Sequence, residues 1–221
     1  MDFYNALIQV AVIAIPAILA ITLHEAAHGY VARHFGDPTA YLQGRLTLNP
    51  VKHIDPVGTI AFPLLTSVMG GIIFGWAKPV PVNFMNLRNP KRDMFWVAAA
   101  GPGSNVVQAI AWALIAKLVV VTGSNSLFAQ FAFAVAVAGI GWNVVIALFN
   151  LFPVLPLDGG RMLVSVLPMR AAERFSRLEP YGMWALIAFI VLLATVDPLR
   201  RAFSAFFTGV NNMVFSAFGL A

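Results

Sequence analysis

His24 and His28 stand four residues apart in the run His24-Glu25-Ala26-Ala27-His28, just after a stretch from Ala6 to Leu23 that carries no charged residue. On a helix this spacing puts both imidazoles on one face, where they can grip a single metal ion. Glu25, beside the first of them, can reach a water on that ion and take its proton. This is the HExxH pattern, in which zinc lowers the pKa of water and the carboxylate acts as general base. Two histidines and a glutamate at membrane depth are expensive, so a functional reading is the default. The bland alternative is a short polar cluster at a helix end, its histidines satisfied by backbone carbonyls.

A catalytic zinc takes three protein ligands and leaves one position for water. The candidate third ligand is Asp158, in the segment NLFPVLPLDGGR from Asn150 to Arg161. Pro153 and Pro156 unwind the end of a helix, and Gly159 and Gly160 allow close backbone approach, which together aim Asp158 inward. The alternative is an ordinary turn with a solvated aspartate. A further motif, AGPGSN from Ala100 to Asn105, is either a small-residue packing notch against the HExxH helix or part of a substrate site. Asn105 and Asn150 are polar at membrane depth and can donate to a substrate carbonyl or a developing oxyanion. Asn150 is the stronger candidate, because it precedes Asp158 on the same element.

The elements that position these residues are membrane helices. Hydrophobic residues make up 60% of the chain and charged ones 10%, with a mean hydropathy of +0.82, which is no soluble domain. The absence of cysteine removes disulfides, thiolate metal sites and a cysteine nucleophile. A net charge of +5 raises the possibility of nucleic acid, but the basic residues punctuate apolar segments, as juxtamembrane charge does. The start, Met1-Asp2-Phe3-Tyr4, lacks the positive region of a cleavable signal peptide. Spans are predicted over Asn5 to His34, Met94 to Val121 and Leu127 to Phe152. Val57 to Trp76 is a broken apolar stretch, Tyr181 to Val196 is short for a crossing, and Arg201 to Leu220 is weakly amphipathic. The expected fold is an all-α polytopic membrane protein. It comprises a three-helix catalytic core, a re-entrant or hairpin element and one or two accessory C-terminal helices. All of it forms one peptidase domain over 1–221, with the core at about 5–161 and the accessory helices at about 181–220.

Charge placement sets the topology. Of the 14 Lys and Arg residues, three lie in Arg33 to Asp55, four in Lys78 to Asp93 and four in Arg161 to Glu179, and none in Thr122 to Ser126. The positive-inside rule puts the three basic connections in the cytoplasm and Thr122 to Ser126 outside. Because both flanks of Val57 to Trp76 are basic, that segment is expected to enter and leave by the cytoplasmic face. His28 and Asp158 then finish at the same level.

HEAAH, GPGSN and NLFPVLPLDGG, in this order on successive apolar spans between about Ile8 and Arg161, resemble the site-2 protease family of intramembrane zinc metalloproteases. The intervening segment, from Gly36–Ala40 to Pro79–Asn83, resembles its compact bacterial branch, without the PDZ insertion or CBS appendage of larger members. The resemblance implies His24, His28 and Asp158 as ligands of one Zn2+, Glu25 as catalytic base and Asn150 as an active-site asparagine. It also implies cleavage within transmembrane segments of other membrane proteins, from a site opening towards the cytoplasm of a bacterial inner membrane. A substrate helix must unwind near the metal, and an exposed strand edge at Lys78 to Phe84 is a candidate pairing partner. His34 reads as a helix-end residue, and His53 as a candidate gate or transient ligand. Two alternatives differ in class. A metal transporter should offer a polar path across the whole membrane, whereas the polar groups here cluster at one side. A catalytically silent scaffold would be expected to lose Glu25 or a ligand, and all are present.

Overall fold

The structure, a computed structural model, describes residues 3–61 and 77–220. Most of these residues are helical, and no strand occurs among them. The long helices are α1 (Phe3–His34), α3 (Pro90–Thr122) and α4 (Leu127–Asn150), with the one-turn α2 (Thr39–Leu42) between the first two. Short helices α5 (Asp158–Val166) and α6 (Met169–Ser176) follow, and α7 (Glu179–Thr195) and α8 (Asp197–Ala217) end the chain. Leu7–His34, Pro90–Thr122 and Leu127–Asn150 are long and apolar enough to cross a bilayer, and the bent pair α6–α7, at 62°, passes the same test as one unit. The expected all-α polytopic membrane fold is therefore what is observed. The re-entrant reading of Val57 to Trp76 lies largely outside the described residues, which on that stretch include only a π-helical turn, Pro56–Ala61.

The three long helices pack against one another through small residues. Ala20, Ala98, Ala109, Ala113, Ala116 and Ala136 are buried, whereas Leu7, Val10, Ile13, Val107, Leu114 and Leu118 point outward. Small inside and large outside is the pattern of helices whose outer faces meet lipid. A Cβ at Gly139 of α4 would lie 2.5 Å from the Trp112 ring of α3, so the indole seats against bare backbone there. Around it, Ala109, Ala113, Ile140 and Val144 form a core that Val210, Val214 and Phe215 of α8 cover.

Helix ends fix where the chemistry sits. α1 closes in a Schellman motif: Asp37 N–H donates to Ala32 O at 2.9 Å and Gly36 N–H to Arg33 O at 3.1 Å. Gly36 takes the left-handed φ of 110° that this motif requires. α3 opens with Pro90 at its first position, and the Asp93 carboxylate accepts from Asn89 N–H at 2.8 Å. Arg88 ties the two ends together, donating from its guanidinium to His34 O at 2.7 Å and from its backbone to Phe35 O at 2.9 Å. The last turn of α1 and the first turns of α3 therefore share one end of the bundle.

Candidate metal centre

His24 and His28 lie on one face of α1 and meet Asp158, the first residue of α5. His24 Nε2 is 3.1 Å from His28 Nε2 and 3.2 Å from Asp158 Oδ2, and His28 Nε2 is 3.3 Å from Asp158 Oδ1. His24 and Asp158 are buried and His28 is half-buried, and this is the metal-competent group found among the described residues.

Both imidazoles are fixed from behind. His24 Nδ1 donates to Asn105 Oδ1 at 2.6 Å, and His28 Nδ1 donates to Val97 O at 2.7 Å. With both Nδ1 atoms protonated, both Nε2 atoms present bare lone pairs to each other and to a carboxylate. The buried Asp158 Oδ2 then has no donor either. Such a cluster is satisfied by a cation. The donor set fits zinc. Imidazole nitrogens about 2.0–2.1 Å from a tetrahedral ion stand about 3.3–3.4 Å apart, close to the separations above. The cradle fits as well: a Cβ at Gly101 would lie 2.4 Å from His28 Nε2 and 2.6 Å from His24 Nε2.

Asp158 reaches the histidines because its loop is clamped by glycines. A Cβ at Gly159 would lie 2.2 Å from Leu151 O, and one at Gly182 of α7 would lie 1.9 Å from Leu155 O. The accessory helix α7 thus rests directly on the ligand loop. Arg161 adds an ion pair at 2.8 Å to Glu179, at the start of α7.

Glu25 is half-buried, and its Oε2 accepts from Val80 N–H at 2.7 Å. Val80 belongs to an irregular strap, residues 77–83, laid over the end of α1. The segment Lys78 to Phe84, expected as an exposed strand edge, forms no strand, and three of its backbone donors are already used. Lys78 N–H donates to His53 O, Val80 N–H to Glu25 and Asn83 N–H to Asp37 Oδ2, while Pro79 and Pro81 have no N–H to give. Asp37 is buried, and Thr39, Asn83 and Asn86 all donate to it. Burial would raise its carboxyl, but these donors bring it below the ordinary aspartate value.

Asn105, expected to face the substrate, is fully buried, and its amide is spent on His24, Ala20 O and Asn143 Oδ1. Asn150 donates to Ile146 O at 3.0 Å within its own helix, and no polar contact joins it to the cluster among the described residues. His53 is buried and hydrogen-bonded to Thr47 O at 2.9 Å rather than to the metal-competent group. Asn143 is a further member of the site that no motif marks: its Oδ1 accepts from the Asn105 amide at 2.8 Å. Its available signal was an asparagine inside an otherwise apolar helix.

A profile described as "Peptidase family M50" matches residues 115–194, a stretch that contains Asn150 and Asp158. The chain is 40% identical over 195 residues to "Putative zinc metalloprotease YwhC" of Bacillus subtilis, covering 87% of this chain and 84% of that protein. It is 31% identical over 212 residues to "Putative zinc metalloprotease Rip2" of Mycolicibacterium smegmatis, covering 91% and 76%. The Mycobacterium tuberculosis protein of the same name is 29% identical over 209 residues. No solved structure matches.

Proposed function

Because the chain belongs to peptidase family M50, the site-2 protease family, we propose that it hydrolyses peptide bonds within transmembrane segments of other membrane proteins, as in regulated intramembrane proteolysis. It is an integral membrane zinc metallopeptidase. The observation that carries the finer reading is the position of the His24–His28–Asp158 cluster, built on a helix that is itself a membrane span. The clustering of Lys and Arg in the connections at that end supports a cytoplasmic side for the cluster, and the bacterial relatives support a bacterial inner membrane. The chain is read as a single peptidase domain, with a core at about 5–161 and accessory helices at about 181–220.

His24, His28 and Asp158 would hold the zinc ion. Bound there, the ion supplies Lewis acidity and a water of lowered pKa. Glu25 would take a proton from the attacking water and pass it to the leaving amine. Asn105 and Val97 O keep the two imidazoles in the tautomer that leaves Nε2 free. Asn150 is assigned to the substrate: it ends α4 ahead of the ligand loop and is half-buried, so its amide has only to leave Ile146 O to meet a substrate carbonyl.

The test is cleavage of a single-span reporter in detergent by the wild type and by Glu25→Gln, each assayed for zinc. Full zinc in both and turnover only in the wild type is the expected result. Near-normal cleavage by Glu25→Gln removes the base assignment.

A further inference from the structure

The strap over Glu25 is pinned on every side. The Arg45 guanidinium donates to Lys78 O at 3.0 Å and to Pro79 O at 3.2 Å, and Lys78 N–H donates to His53 O at 2.9 Å. Asn83 N–H donates to Asp37 Oδ2 at 2.7 Å. Between these anchors Val80 is buried, and a Cβ at Gly29, one turn beyond Glu25, would lie 3.1 Å from Val80 Cγ1. Gly29 therefore opens the seat into which Val80 drops. Prolines at 79 and 81 leave Val80 with the lone backbone donor of that tripeptide, and they keep the strap from turning into a helix. That donor points at Glu25 Oε2, at 2.7 Å.

We propose that the Val80 N–H is the positioning donor for the catalytic base: it fixes one oxygen of Glu25, so that the other is held towards the water it deprotonates. A glutamate has three side-chain torsions, and an unrestrained carboxylate spends much of its time away from the reacting geometry. One hydrogen bond to Oε2 removes that freedom and leaves Oε1 with its lone pairs. The strap is thus part of the active site through one backbone atom rather than through a side chain. This inference rests on the reading of Glu25 as the base.

The contact itself is tested without turnover, by backbone hydrogen exchange of the metal-free protein. Residues 79–81 contain a single exchangeable amide, so the signal belongs to Val80. It should exchange at least about tenfold faster in Glu25→Ala than in the wild type, because its acceptor is gone. Equal exchange in the two proteins overturns the contact. Its role is tested by replacing the Val80 amide with an ester, which deletes the N–H and keeps the side chain. The same replacement at Val82, whose N–H has no partner among the described residues, is the control. With the single-span reporter, the Val80 ester should lower kcat on the order of ten- to a hundredfold, while KM and zinc content stay within about twofold. The Val82 ester should match the wild type. Unchanged kcat for the Val80 ester, or an equal loss for both esters, overturns the proposal. Cleavage by Glu25→Gln would instead sink the base reading while leaving the exchange result standing.

Discussion

His24 Nδ1 sits 2.6 Å from Asn105 Oδ1, across the interface of two membrane-spanning helices. Asn105 is held in turn by Asn143 at 2.8 Å, and Asn143 donates to Gly139 O at 2.9 Å. The ring orientation of one metal-competent histidine is therefore set by a buried chain of amides running through all three long helices. In a low-dielectric interior such a chain is worth most when every member is satisfied.

Asn105→Ala should weaken zinc affinity about 10–100-fold, the usual scale for loss of a group that orients a metal-binding histidine. Asn143→Ala, one step further back, should cost less. Competition against a chromophoric chelator measures both. Wild-type affinity in Asn105→Ala would show that His24 is oriented by something else.

Gly101→Ala and Gly103→Ala separate packing from motif. The first places a methyl 2.4 Å from His28 Nε2, while the second meets nothing within 4 Å. Gly101→Ala should bind well under one zinc per chain, because both rings are anchored and cannot retreat. Gly103→Ala should keep its zinc and change stability by no more than about 0.5 kcal/mol. Elemental analysis of the purified proteins checks the pair, and equal zinc in both would refute the cradle.

Asp37 gives a pH dependence with a definite sign. Its carboxyl is brought below the ordinary value by the Thr39, Asn86 and Asn83 donors, so its contribution to stability is complete above the unfolded-state value of about 3.9. That contribution fades as pH falls towards the lower folded value. Asp37→Asn should therefore be less stable than the wild type at pH 7, by about 1.5–3 kcal/mol for weakened bonds to a charged acceptor. The gap should narrow below about pH 4. Thermal unfolding in detergent across this range decides it, and a gap that widens in acid would contradict the assignment.

Much of this site was legible in the sequence because its information is local. The i, i+4 histidines and the adjacent glutamate need only a helix to come together, and the charge contrast across the connections placed Asp158 at their level. What escaped was the part that depends on tertiary contact. Val97 O and Val80 N–H are backbone groups that every residue carries, so no residue type marks them. Gly182 looks like any membrane-helix glycine until α7 lies on Leu155 O. Asn105 drew attention as a polar residue at depth, but its partner His24 is 81 residues away, and only the packing of α1 on α3 turns a substrate contact into a support for the metal site.

Hydrolysis inside a membrane span by this cluster, with Glu25 as base, can be followed by mass spectrometry of the cleavage products in water enriched in oxygen-18. The reporter carries one transmembrane helix, and the enzyme is the zinc-loaded wild type beside Glu25→Gln. A cut within the helix, one heavy oxygen in the new carboxyl terminus, and no product from Glu25→Gln are expected. A cut confined to the soluble flanks, or labelled product from Glu25→Gln at the wild-type rate, would contradict that mechanism.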